Sequence, residues 1–148
     1  MTIPAAPDAL LGARLHAGAR QLLQDRRPEE ALPMLDRLAR LPGLAAAAAL
    51  MRAEALATLE RLPEAETAAD QALAADPEWS AARQIRARIR LARGEVKQGI
   101  DDAAAAVMAT PWDPAAKALL GTALLEIRCF DEAIWFLNEA ISLSLHML

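Results

Sequence analysis

The chain has 148 residues, 55% of them hydrophobic but only 3% aromatic and none tyrosine, so any core is built from Ala, Leu, Ile and Met. That length suits one domain, and alanine-rich faces let helices form and approach closely. A net charge of -4 and a pI near 5.2 argue against a general nucleic-acid binder, which needs a basic surface.

Residues 1–9, with Pro4 and Pro7 and little to bury, are expected to be a loose arm ahead of a domain over 10–148. They carry no cationic region or uncharged apolar run, so a signal peptide is not expected. No later stretch approaches the roughly 18 apolar residues of a membrane span. A soluble, cytoplasmic protein is therefore expected, and the single cysteine, Cys129, suits a reducing compartment.

The first helix is placed at about Ala9–Gln24, with Leu11, Leu15, Ala19 and Leu22 at spacings of four and three. Pro28 suits the opening position of the second helix, where Glu29 and Glu30 favour the positive end of its dipole. Pro33 removes a backbone bond at a cost of about 3 kcal/mol in a helix interior, so a late start or a bend is expected. Leu41-Pro42-Gly43 then breaks the chain. Further helices are placed at about Ala46–Leu59 and Pro63–Ala75, Ser80–Arg93 and Glu95–Ala109, and two more within Pro114–Leu145. Asp76-Pro77 and Thr110-Pro111 close the second and third pairs, and Gly94 stops a helix inside the third. In the fourth, Asp131 is expected to cap the last helix.

A period of 34 residues runs through these pairs. Ala133 steps back to Gly99, Ala65 and Ala31; Gly121 to Ala87, Ala53 and Ala19; Ala140 to Ala106, Ala72 and Leu38. Each pair has an apolar face that it cannot cover alone, and stacking buries a continuous core. Ala53, Ala87 and Gly121 mark where helices touch.

The period, with Leu15, Gly18, Ala19 and Leu22 in the first pair, Leu120, Gly121 and Leu124 in the fourth, the alanines at 65, 72, 133 and 140 and the prolines at 77 and 111, resembles the tetratricopeptide repeat. The likeness covers roughly residues 10–145. It departs at the bulky first-helix position, occupied by Ala49, Arg83 or Lys117, and at the final proline, which is Leu145. The resemblance implies an all-α solenoid of about four helix-turn-helix repeats (12–45, 46–79, 80–113, 114–148) in a right-handed superhelix, with a concave groove that holds a partner protein or peptide.

By the same likeness, the groove would carry His16, Arg20, Leu50, Glu54, Thr58, Gln84, Arg88, Thr122 and Glu126. Arg20 and Arg88 suit a partner carboxylate; alternatively, the positions are solvated faces with Glu54 and Arg88 satisfying each other. The family's lysine–asparagine carboxylate clamp is absent, since its positions read His16, Arg20, Met51, Ala81 and Ile85. Arg83, Arg86, Arg88, Arg90 and Arg93 crowd one helix, either as a basic patch or offset by Glu54, Glu60, Glu64 and Glu66. Trp79 and Trp112 are expected to cover joints between pairs rather than border the groove. The last helix is apolar nearly all round, so Trp135, Phe136, Leu143 and Met147 are expected to form a terminal interface.

No converging catalytic group, phosphate loop, nucleotide fingerprint or metal-ligand spacing is present. Asp101-Asp102 reads as a solvated pair, His16 and His146 stand far apart, and Cys129 as a thiol in a turn. The expected protein is a non-catalytic interaction scaffold without cofactor or metal. The alternative is an oligomerisation or regulatory module, self-associating through the last helix or forming the front of a larger enzyme.

Overall fold

A computed structural model describes residues 5–147. Eight helices and no strand are found among them: α1 (Ala5–Gln24), α2 (Pro28–Ala39), α3 (Ala45–Thr58), α4 (Leu62–Ala75), α5 (Ser80–Ala92), α6 (Val96–Ala109), α7 (Pro114–Glu126) and α8 (Phe130–His146). The chain divides into two compact units, Met1–Ala75 and Asp76–Leu148. Each is two helix pairs stacked on one another, α1–α4 in the first and α5–α8 in the second.

The expected register is the register of burial. In all four pairs the three stations of the 34-residue period are buried: Ala19, Ala53, Ala87 and Gly121; Ala31, Ala65, Gly99 and Ala133; Leu38, Ala72, Ala106 and Ala140. The small residues are required where the helices of a pair meet. A Cβ on Gly121 would lie 2.8 Å from Leu137 Cγ and 3.1 Å from the Ala133 carbonyl oxygen. Around these contacts the first unit packs Leu15, Leu35, Leu38 and Met51, and the second packs Leu120 with Ile100, Leu119, Leu124 and Phe136.

The turn inside each pair has one geometry. Arg26 (φ 59°), Glu60 (φ 60°), Gly94 (φ 81°) and Arg128 (φ 62°) all adopt the left-handed conformation, again 34 residues apart. The next amide reaches back over the helix end: Arg27 to the Leu22 carbonyl at 2.8 Å, Arg61 to Leu56 at 2.9 Å, Glu95 to Arg90 at 2.8 Å and Cys129 to Leu124 at 3.0 Å. This is the helix-ending motif that favours glycine, and only the third pair supplies one. In the first two pairs the residue before the second helix also pairs with a glutamate in its first turn, Arg27 with Glu30 and Arg61 with Glu64. The hydrogen bond from Arg61 holds the Glu64 carboxyl below its ordinary range. Its small, exposed contribution is therefore present above the unfolded carboxyl pKa and fades as acidification passes through the folded one.

Three local expectations change. The first helix begins at Ala5, so of the expected arm only residues 1–4 lie outside the described residues, and 5–9 are helical. Pro33 neither delays nor interrupts α2. The bond it gives up is to Glu29, and both residues are exposed, so water can take the orphaned carbonyl. Asp131 does not cap α8: Cys129 occupies that position without a side-chain bond, leaving Asp131 inside the first turn. The aspartate that does cap is Asp113, whose side chain accepts from the Ala115 amide at 2.9 Å at the start of α7.

Candidate functional site

The first helix of each pair presents the residue after its buried station outward. In the first unit these residues are Arg20 and Glu54, which follow buried Ala19 and Ala53. Arg20 Nη1 donates to Glu54 Oε2 at 3.1 Å, and the two side chains remain 39% and 31% exposed. The bond joins neighbouring pairs, so the two first helices share one polar face. His16 stands exposed one turn before Arg20 on that face, and Thr58 one turn after Glu54. The Thr58 hydroxyl is turned back to the Glu54 carbonyl at 2.9 Å. Glu54 thus has Arg20 as its partner, where the alternative reading of solvated faces paired it with Arg88.

In the second unit the corresponding residues are Arg88 and Thr122, following buried Ala87 and Gly121, and both are exposed. Thr122 donates to the Ala118 carbonyl at 2.9 Å. Arg88 has no ion-pair or hydrogen-bond partner among the described residues, so this face carries a cation ready for an external carboxylate. Glu126 is exposed one turn beyond Thr122.

Two expected groove residues are structural instead. Leu50 is 8% exposed and belongs to the core. Gln84 is 7% exposed, and its amide donates to Asp113 Oδ2 at 2.9 Å and to Ser80 Oγ at 3.2 Å, tying α5 to the cap of α7. Of the positions compared with the carboxylate clamp, Met51 and Ile85 are buried, so they offer a partner nothing polar to hold.

The arginine-rich helix α5 is held by a residue that sequence reasoning set aside. Asp102 is 3% exposed, while Asp101 beside it faces solvent. Arg86 grips Asp102 with two bonds of 2.8 Å, Arg90 adds one of 2.9 Å, and Arg83 lies 3.8 Å away. Arg83 also donates to the Pro77 carbonyl at 2.9 Å, and Arg93 lies 3.5 Å from Glu95. In the other pairs, the stations of Arg90 and Asp102 hold Leu22 and Met34, Leu56 and Ala68, and Leu124 and Phe136. The third pair has an ion cluster where the others have apolar contacts. That substitution at a core station was the signal available in the sequence. Among the expected acidic partners, Glu64 is taken by Arg61.

At the far end of the second unit, Trp135 and Met147 are 55% and 65% exposed and Leu143 is half-buried. Phe136 turns inward, packing with the α5–α7 core and edge-on to Trp135 at 4.9 Å. It is a core residue, not a free interface. Trp135 also lies under Lys117 Nζ, 5.7 Å from its ring, and Lys117 pairs with Glu139 at 3.3 Å. Trp79 is half-buried at the start of α5, but Trp112 is 63% exposed and covers no joint. Cys129 is a half-buried free thiol in the last turn. Among the described residues, no three His, Cys, Asp or Glu side chains converge on a metal position, and no helix is long and apolar enough to cross a membrane.

Residues 16–78 match the family model described as tetratricopeptide repeat. No curated protein matches the chain in sequence. Among solved structures, the MamA segment 41-end from Desulfovibrio magneticus RS-1 is 26% identical, with 90% of this chain and 75% of that one covered at a TM-score of 0.74. TTC0263, a thermophilic tetratricopeptide-repeat protein of Thermus thermophilus, is 19% identical over 86% of this chain and 71% of its own, at a TM-score of 0.79. The second such domain of human RPAP3, in complex with the HSP70 peptide SGPTIEEVD, is 20% identical over 79% of this chain and 98% of its own, at a TM-score of 0.70. The repeating register, the four matching turns and these likenesses agree: residues 16–78 match the tetratricopeptide repeat, and the chain has the helical-repeat fold of those proteins.

Proposed function

We propose that this chain is a non-catalytic protein-interaction scaffold, acting in the cytoplasm, whose first-helix faces hold a segment of a partner protein. The observation that carries this reading is the alternation at one register. The stations of Ala19, Ala53, Ala87 and Gly121 are buried, while the next residue in each helix, Arg20, Glu54, Arg88 or Thr122, points outward with a polar group. Human RPAP3, of the same fold, has a peptide with an acidic end bound to its repeat domain, which supports a peptide as the ligand class. In this chain the cation offered is Arg88, with Arg20 already engaged by Glu54. An acidic or carboxylate-bearing segment fits Arg88 by charge-assisted hydrogen bonds. The net charge of -4 disfavours nucleic acid as the partner.

The test is capture from extract of the source cells, with the wild-type chain beside Arg20→Glu/Arg88→Glu. A partner kept by the wild type and lost by the folded variant supports the scaffold reading and identifies its ligand. Retention of every partner by both baits overturns it. Self-association through α8 is the competing reading, favoured by the exposed Ile134, Trp135, Ile141 and Leu145. Sedimentation of the chain alone distinguishes it.

A further inference from the structure

The end of the second unit carries an apolar trough between α7 and α8. Pro114, Ala115 and Ala118 form one wall, and Leu137, Ile141 and Leu145 the other, around an apolar volume of about 740 Å³. Phe130 and Ile134, 50% and 55% exposed, extend the same stripe along α8 toward the turn. Ile141 and Leu145 are 59% and 63% exposed. At their stations the first pair has Ala39 and Gly43, the second Leu73 and Pro77, and the third Val107 and Pro111. Leu73, the one side chain as large as Ile141, is 7% exposed, whereas Ile141 is left largely in water.

The same ground in the first pair is partly filled, leaving a cavity of about 470 Å³ beside Ala13 and His16. Gly12 there stands where Pro114 stands in the fourth pair, and Leu44 at the head of α3 lies against it, 2.6 Å from where a Cβ would be. Behind Leu44, Ala48, Met51 and Ala55 of α3 are buried in the first unit's core with Leu35 and Leu38. In the third pair, Ala103 is covered with Leu120 of α7 in the same way. The occupant of this kind of trough is thus an amphipathic helix with a leucine at its head, small residues near its middle and end, and one large apolar residue between them.

A second copy of this chain does not supply that helix. In α1 the equivalent residues are Leu10, Arg14, Ala17 and Gln21. Arg14 and Gln21 replace alanines that are 2% and 0% exposed in α3, and both face solvent here. Docking α1 head to tail would bury the Arg14 charge, and with it the Gln21 amide and the Asp25 carboxylate that it donates to at 3.0 Å. Tail-to-tail pairing meets a different obstacle. The turn end of the trough carries Glu126, Asp131 and Glu132 against the single cation Arg128, which lies 5.9 Å over the Phe130 ring. All three carboxylates are exposed and none has an ion-pair partner among the described residues. When two troughs face each other in parallel these ends meet and repel one another.

We propose that the α7–α8 trough is a docking site for an amphipathic helix of another protein, with leucine, small, large and small residues at the α3 spacing and lysine or arginine in its last turn. A helix lying as α3 does enters with its leucine over Pro114 and Ala118 and ends beside the acidic turn. Basic residues there complement both the carboxylates and the negative end of the helix dipole. This surface centres on Ile141 and Leu145 of α8, whereas the scaffold role of the second unit centres on Arg88 of α5; Glu126 is shared, and substitutions at Ile141 and Leu145 or at Arg88 separate the two roles.

The probe is a fluorescent peptide of residues 44–58 of this chain followed by two lysines, with a second peptide ending in two glutamates. Binding to the full chain is read by anisotropy at low and moderate salt. Saturable binding of the lysine peptide is expected, tighter than that of the glutamate peptide and weakened by salt. Ile141→Glu/Leu145→Glu should weaken it about tenfold or more, while Arg88→Glu leaves it unchanged. Both altered residues of the double variant are mainly exposed, so circular dichroism should show an intact fold. No saturable binding, equal affinity of the two peptides, or binding untouched by the double variant overturns the proposal. So does sedimentation of the wild type as a dimer that the double variant dissociates, which would make a second copy the occupant.

Discussion

Arg26, Glu60 and Arg128 hold a backbone conformation that costs an L-residue with a side chain roughly 1–2 kcal/mol and costs glycine little. They keep it because the following amide closes the helix end, at 2.8 to 3.0 Å in all four turns. Glycine also gains entropy when unfolded, which offsets part of the relief. Glu60→Gly should therefore stabilise by about 0.5–1 kcal/mol. It is the clearest of the three sites, since Arg128 also lies over the Phe130 ring. The reverse change, Gly94→Ala, should destabilise by a similar amount. Calorimetric midpoints moving in opposite directions for the two variants would bear this out; movement in the same direction would show that the turn is not where the strain resides. The period is legible in the sequence at this scale, but the turn conformation is not. Arginine and glutamate give no sign of a positive φ, and only the glycine of the third pair does.

Among the elements, α5 and α6 differ from their counterparts by one exchange of chemistry. Asp102 and Arg90 take stations that are apolar in the other pairs, and Asp102 is 3% exposed with two bonds from Arg86 and one from Arg90. Removing one member of a buried ion pair costs about 3–5 kcal/mol because the charge left behind loses its compensation. Asp102→Ala should lie near the lower figure, since Arg83, Arg86 and Arg90 keep about a fifth of their side-chain surface in water. Denaturant titration checks it: a midpoint within error of the wild type would mean that the guanidiniums regain in solvent what they lose. Helix limits at this scale follow from proline, glycine and the apolar period, and most lie within one residue of expectation. Asp102 was missed because an aspartate in an Asp-Asp pair reads as solvated, and only comparison with Met34, Ala68 and Phe136 at its station marks it as internal. Asp131 was misplaced as a cap for a related reason. The helix begins two residues earlier, at Phe130 with Cys129 in the capping position, so the carboxylate falls within its first turn.

At the scale of the whole molecule, stability in a repeat array is a sum of pair terms and nearest-neighbour terms, so a local defect need not unfold the chain. The first unit, through Ala75, has its own core of Leu15, Leu35, Leu38 and Met51, and the second is built around Leu120 and Ala103. The repeat fold was legible because small residues recur where helices touch. The working surfaces were less so, because exposure depends on what the neighbouring pair covers: Leu50 and Gln84 lie at the His16 register yet are buried by packing that no periodicity displays. The closest helix approach in the fourth pair offers a test of how independent the units are. At Gly121 even a Cβ would crowd Leu137 Cγ at 2.8 Å and the Ala133 carbonyl oxygen at 3.1 Å. Gly121→Val adds two further carbons there and should destabilise the α7–α8 pair by about 1–3 kcal/mol or more. Hydrogen exchange should then show amides of α7 and α8 losing protection while those of α1–α3 keep theirs. Equal loss throughout would mean that the eight helices unfold as one cooperative unit, and that the two cores do not act as separate sources of stability.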